Sequence, residues 1–224
     1  MFAGHIGAAL AIGRSERRIS VVAFVLAALL LDVVLWLFVL VGWESVFIAP
    51  TFSATHQPEF IFPFSHGLVA SLVWSAVAGV AVFAACAHLG ASRLSAAMLV
   101  AAVVFSHWVL DALVHAPELP VAGADSALIG AGLWQHMPLA LAVEAFVLLA
   151  GLVLFLPGAA LSRTRKIWFA LLCLLVLAFT VAGMTVAPPP PSAGAMASSS
   201  LVTIAAICAL VYWLAKPTGS GERS

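Results

Sequence analysis

Six stretches of the chain stay apolar long enough to cross a bilayer, at about residues 19–42, 65–88, 94–115, 134–156, 166–187 and 199–215, since a spanning helix takes about 20 residues. The last is short. Polar residues, Gly and Pro punctuate the gaps between them. The 12 residues from Phe2 to Gly13 are also apolar but too few to cross, which predicts an interfacial or half-inserted helix. The expected fold is all-α: a polytopic membrane helix bundle of about six transmembrane helices, built as a single membrane domain over 1–224. Residues 1–156 form its site-bearing part, with four helices and the N-terminal half-helix, and 166–224 supply scaffold helices five and six. Met1 to Gly13 lacks a basic leader and runs into Arg14, Arg17 and Arg18 instead of a small-residue cleavage site, so it reads as mature sequence.

Charge fixes the orientation. All nine basic residues fall before the first span, after the second, after the fourth or after the sixth: Arg14, Arg17, Arg18, Arg93, Arg163, Arg165, Lys166, Lys216 and Arg223. By the positive-inside rule that side is cytoplasmic. Both termini are therefore expected inside, with 43–64, 116–133 and 188–198 outside, in a multi-pass protein of a bacterial inner membrane. Glu16 and Glu222 are the cytoplasmic acids, while the other seven lie within spans or on the outer side. The run Pro188 to Pro191 with Ser198 to Ser200 reads as an extended outer linker.

Composition narrows the function. With 64% hydrophobic and 8% charged residues, against about 25% charged in soluble domains, no soluble class fits. A formal net charge of zero gives no basic face for nucleic acid. The partners expected are the lipid bilayer and a small lipid or envelope molecule. Cys86, Cys173 and Cys208 all lie in apolar runs, where a free thiol behaves as a small hydrophobe.

An ionisable residue within a span costs about 2.5 to 3.5 kcal/mol, so Asp32, His107, Asp111 and Glu144 need an interior reason to exist. Counted at ~1.5 Å per residue from the cytoplasmic end, all four sit ~18 to 26 Å up their helices. His66, His115 and His136 occupy the outer ends of neighbouring spans. The strongest local signal is His107-Trp108-Val109-Leu110-Asp111-Ala112-Leu113-Val114-His115, whose i, i+4, i+8 spacing stacks two imidazoles and a carboxylate on one face. That mixture suits zinc or a similar divalent ion. The alternative is a carboxylate hydrogen-bonded to its own histidines. Asp32 has an entirely apolar neighbourhood, leaving a metal, a protonated carboxyl or another helix as its partner. His5 reaches the cluster only if residues 2–13 insert. Glu44, just past Gly42-Trp43, and Glu144 are candidates for a catalytic base. Beyond Lys166 the last two spans carry no charged side chain before Lys216 and read as scaffold.

From Ala23 to Gly151 the chain resembles the bacterial YdjM-like family of inner-membrane metal-dependent hydrolases, also described as LexA-binding. The resemblance rests on Asp32, Gly42-Trp43-Glu44, Pro63-Phe64-Ser65-His66, Ser106 to Asp111, His115-Ala116-Pro117-Glu118-Leu119-Pro120, and Gly132-Leu133-Trp134 followed by Glu144. That family is distantly similar to zinc-dependent phospholipase C, with ligands in the order His, Asp, His, HxxxD, His, HxxxE. The resemblance implies metal ligation by His5, Asp32, His66, His107, Asp111, His115 and His136, and one to three ions. The order breaks at its last step: Ala140 stands four after His136, and Glu144 one turn further on.

The leading reading is a membrane-embedded metal-dependent hydrolase that cleaves a phosphoester or ester of a lipid or envelope molecule with metal-activated water. An ion- or proton-coupled transporter using the same Asp/His/Glu cluster, and a non-catalytic membrane partner protein, are the competing readings.

Overall fold

The computed structural model describes residues 1–216 and is a helical membrane bundle. Helices α1 (Phe2–Gly13), α2 (Val21–Ala28) and α3 (Leu30–Val41) are followed by a short α4 (Phe52–Thr55) within the loop that leads to the next long helix. The long helices α5 (Leu68–Ala85), α6 (Arg93–Val114), α7 (Met137–Phe155), α8 (Arg163–Thr185) and α9 (Ala193–Ala215) follow. Each of these five is long and apolar enough to cross a membrane. The loops 43–64 and 116–133 carry two small antiparallel ribbons: β1 (Ser45–Phe47) pairs with β2 (Glu59–Ile61), and β3 (Leu119–Pro120) with β4 (Leu128–Ile129).

The first expected span departs from the sequence reading. It is not one helix but α2 and α3, bent by 51° across Leu29, with Leu29 at φ −101, ψ 6. The last span is longer than expected, because Ser192 caps α9 by accepting the Ala195 amide at 3.1 Å, which starts the helix before Ser198.

The outward faces carry large apolar side chains, among them Val80, Phe146, Val153, Leu175 and Val202. Such surfaces suit hydrocarbon, where every backbone group must be satisfied within the helix. Small residues make the inner contacts. On α5 the buried positions Ser71, Ser75 and Gly79 recur every fourth residue, and Gly79 lies against Ala97 and Ala101 of α6, so the two backbones approach closely. The segment 2–13 is held inside the bundle: Ala3, His5, Ile6, Ala9 and Leu10 are buried, and α1 packs chiefly on α7.

Contacts sort the loops into two ends. At one, the Arg17 guanidinium covers Gly158, Lys166 reaches the Pro157 carbonyl at 3.4 Å, and Arg165 donates to the Lys216 carbonyl. Glu16 belongs to the same end, where the Arg18 guanidinium holds its carboxyl below the ordinary value. At the other end His56 Nδ1 lies 3.0 Å from the Ala187 carbonyl, and the Val69 amide donates to Val121 at 3.0 Å. The basic loops thus share one end. Met1, by contrast, is buried, its amino group 2.9 Å from Asp111 Oδ1. The expected cytoplasmic placement of Glu222 and Arg223 lies outside the described residues.

Candidate metal centre

The break at Leu29 builds the centre from two directions. It places Asp32 in the first turn of α3, where the helix dipole favours a carboxylate. It also brings the carbonyl of Ala28, the last residue of α2, to His107. Helix ends leave carbonyls without intrahelical donors, and His107 Nδ1 lies 2.6 Å from this oxygen.

Three donor atoms then converge. His107 Nε2 is 3.1 Å from His66 Nε2 and 3.0 Å from Asp111 Oδ2, and His66 Nε2 is 3.5 Å from the same oxygen. Ligands of one tetrahedral ion at about 2.0 to 2.1 Å stand about 3.3 Å apart. The triangle has the edges such an ion requires. Asp32 Oδ1 flanks it, 3.8 Å from His66 Nε2 and 3.9 Å from His107 Nε2. His5, Asp32 and His107 form a second group with the same capacity. Because both groups use His107, they are not two independent sites.

Proton bookkeeping points the same way. A carbonyl oxygen only accepts, so His107 Nδ1 carries the hydrogen. In a neutral imidazole Nε2 is then a lone pair, and it faces the Asp111 carboxylate, acceptor against acceptor. An imidazolium, a protonated Asp111 carboxyl or a bound cation at Nε2 relieves this repulsion. The residue is fully buried, a setting in which a charge is costly unless paired or metal-bound. The donor set fits a divalent cation: two imidazoles and one or two carboxylates, with the non-ligating nitrogen of His107 held by backbone.

Around the triangle, supporting groups orient the ligands. Ser65 Oγ lies 2.8 Å from His66 Nδ1. Glu44 stands behind it: its Oε1 accepts the Phe64 and Ser65 amides, each at 2.8 Å, while its Oε2 is buried without a partner. Burial pushes the Glu44 carboxyl above its ordinary value, the two amides acting in the opposite sense. Glu44 therefore holds the turn before His66 and does not line the cavity. His115 is the first residue past α6, and its Nε2 is 3.9 Å from Asp111 Oδ2. Its Nδ1 lies 2.5 Å from Glu118 Oε1, an orienting partner the sequence reading did not assign; the His-x-x-Glu spacing was its only local signal.

His5 joins the cluster through the insertion of α1. Its Nε2 is 3.2 Å from Asp111 Oδ1, and its ring stacks on His107 at 3.6 Å between centroids. Glu144 is buried beside it, Oε2 accepting the Gly4 amide at 3.0 Å. His136 is the correction. It is exposed at the start of α7 and makes none of these contacts, because a 3₁₀ turn over Leu133–His136 precedes the helix and leaves the ring outside the bundle.

The cluster forms the floor of a cavity of about 520 Å³, a size typical of small-molecule sites. Asp32, His66, Asp111 and Glu144 line its polar end. Its other walls include Phe179 and Gly183 of α8 and Ser199 and Thr203 of α9, so these helices are more than the scaffold their sequence suggests. His56 and Gln57 lie over it, Gln57 Nε2 3.4 Å from the Trp134 carbonyl. On the other side of the cluster the buried positions are apolar, Leu10, Phe24, Val103, Leu148 and Phe169 among them. Comparison with family models, curated proteins and solved structures found no match to this chain.

Proposed function

We propose that the protein is a membrane-embedded metal-dependent hydrolase, acting on a phosphoester or ester of a lipid or envelope molecule at the outer half of a bacterial inner membrane. The observation that carries this reading is the His66, His107, Asp111 triangle, with edges of 3.0 to 3.5 Å, at the polar end of a cavity that Asp32 and Glu144 also line. His66, His107, Asp111 and Asp32 would hold the ion, zinc by its donor preferences, with His5 and His115 adjacent. Such an ion supplies Lewis-acid polarisation of the ester oxygen and lowers the pKa of water to roughly 7.

The chain's own groups do the rest. Glu144 has one oxygen committed to the Gly4 amide, and Oε1 is left to accept a proton from the attacking water. Ser65 and the Ala28 carbonyl fix the two imidazoles so that each presents Nε2. The apolar walls exclude bulk water, which strengthens the electrostatics inside. Membership of the YdjM-like family belongs to the same proposal. A carrier would need ionisable groups continuing towards the basic end; the buried acid described there, Glu16, is paired with Arg18, and Leu10, Phe24, Val103, Leu148 and Phe169 are apolar.

The test is hydrolysis by the purified full chain, in detergent and in vesicles, over phosphodiester, phosphomonoester and carboxyl-ester lipids, with metal content measured alongside. Turnover that chelation abolishes and zinc restores is expected. Ion or proton flux in vesicles without hydrolysis of any of these lipids would replace the enzyme reading with the carrier.

A further inference from the structure

The cavity extends well beyond what a metal and a water need, and its far walls come from helices that contribute nothing to the ion. On α8 the lining positions Phe179, Thr180, Gly183 and Met184 recur at three- and four-residue intervals, with Ala187 just past the helix end, and on α9 Met196, Ser199, Ser200 and Thr203 recur in the same way. That periodicity places one stripe of each helix across the cavity from the other. Two features show that the stripes face space instead of packing together. A Cβ built on Gly183 meets nothing within 4 Å. Phe179, although it lines the cavity, is 56% exposed, and Leu175 and Val181 on the same helix are exposed apolar side chains as well, a surface that suits lipid. Phe179 thus stands where the cavity meets the apolar face of α8. The hydroxyl of Thr203 is tied back to the Ser199 carbonyl at 2.8 Å, so this wall offers methyl and methylene groups more than free donors. At the opposite end lie Asp32, His66 and Asp111, together with His5, which is 1% exposed and whose Nδ1 has no partner.

A chamber with a cation-capable polar floor, apolar walls and an edge at an apolar helix face matches one kind of molecule. We propose that the α8–α9 gap is a chain slot: it admits from the bilayer one hydrocarbon chain of an amphiphile whose anionic or ester head lies on the buried cluster, and Gly183 keeps the slot open. The inference rests on the hydrolase reading for the chemistry of the head, but the slot itself is a binding property.

The experiment therefore reads binding. The full chain, reconstituted in phosphatidylglycerol vesicles that contain a phospholipid with a photoactivatable diazirine near the end of one acyl chain, is irradiated, and the labelled residues are mapped by mass spectrometry. Label is expected on the cavity-facing Gly183, Met184, Ser199, Ser200 and Thr203, in addition to exposed positions such as Leu175, Phe179 and Val202. Gly183→Trp should lose the cavity-facing label while keeping the outward label and the bound metal. Thr203→Phe, from the opposite wall, provides the same test if Gly183→Trp fails to fold. Label confined to outward positions in the wild type, or cavity label unchanged in a folded slot variant, overturns the proposal. Cavity label without turnover of any ester lipid supports the slot and removes the hydrolase; turnover without cavity label does the reverse.

Discussion

Gly151 of α7 lies so close to Gly7 of α1 that a Cβ built on Gly151 would stand 2.8 Å from the Gly7 Cα. The reciprocal construction at Gly7 meets the Leu148 Cα at 2.6 Å. Only glycine permits this crossing. It sets how deeply the 12 residues of α1 enter the bundle, and with that depth His5 reaches Asp111 and the Gly4 amide reaches Glu144.

Substitution at this crossing should therefore act at the metal. Gly151→Val inserts atoms into a contact with no room, which costs about 1 to 3 kcal/mol where structure can shift, and it displaces α1. Lower thermal stability is expected together with weaker metal affinity, matching His5→Ala in affinity and exceeding it in lost stability. Equal metal affinity in wild type and Gly151→Val, measured by competition with a chromophoric chelator, would separate α1 from the centre.

Metal content should follow the triangle. His107→Ala and Asp111→Asn each remove a ligand and should lose stoichiometric metal, as read by elemental analysis of purified protein. His136→Ala, at an exposed ring away from the cluster, should retain it. Ser65→Ala removes only the partner of His66 Nδ1, and a drop of about 10 to 100-fold in affinity is expected.

Chelation should lower the melting temperature of the wild type. A ligand that binds only the folded state at 100 times its Kd stabilises by about 2.7 kcal/mol. The same chelator should leave the melting temperature of His107→Ala unchanged, since that variant has no ion to lose.

Glu144→Gln keeps the shape and the acceptor for the Gly4 amide but cannot take a proton. It should retain metal and lose kcat, with KM little changed. Loss of metal instead would make Glu144 a ligand.

Orientation is checked by labelling single cysteines in a background where Cys86, Cys173 and Cys208 are replaced. Ser53→Cys and Asp125→Cys, exposed on the outer loops, should react with an impermeant maleimide in intact cells. Ala91→Cys, exposed between α5 and α6, should react only after permeabilisation.

Hydropathy along the chain determined the membrane class, the number of spans and, through the nine basic residues, which loops share an end. These are local or summed quantities, and the bilayer reads them much as the eye does. The list of buried ionisable residues was equally legible, since a charge in hydrocarbon is costly wherever the chain folds. What the list could not say is which of them meet. Convergence depends on each helix's rotation and depth, and those are set by contacts between residues far apart in sequence: Gly7 on Gly151, Gly79 on Ala97 and Ala101, the Ala28 carbonyl on His107. An uninterrupted apolar run gave no sign of the bend at Leu29, because no Pro or Gly marks it and its consequence is a backbone oxygen, which has no letter in the sequence. Tertiary structure alone brought His5 in, left His136 out, moved Glu44 behind Ser65, and turned α8 and α9 into walls of a cavity, because side-chain direction in a bundle follows from how helices pack and not from how apolar they are.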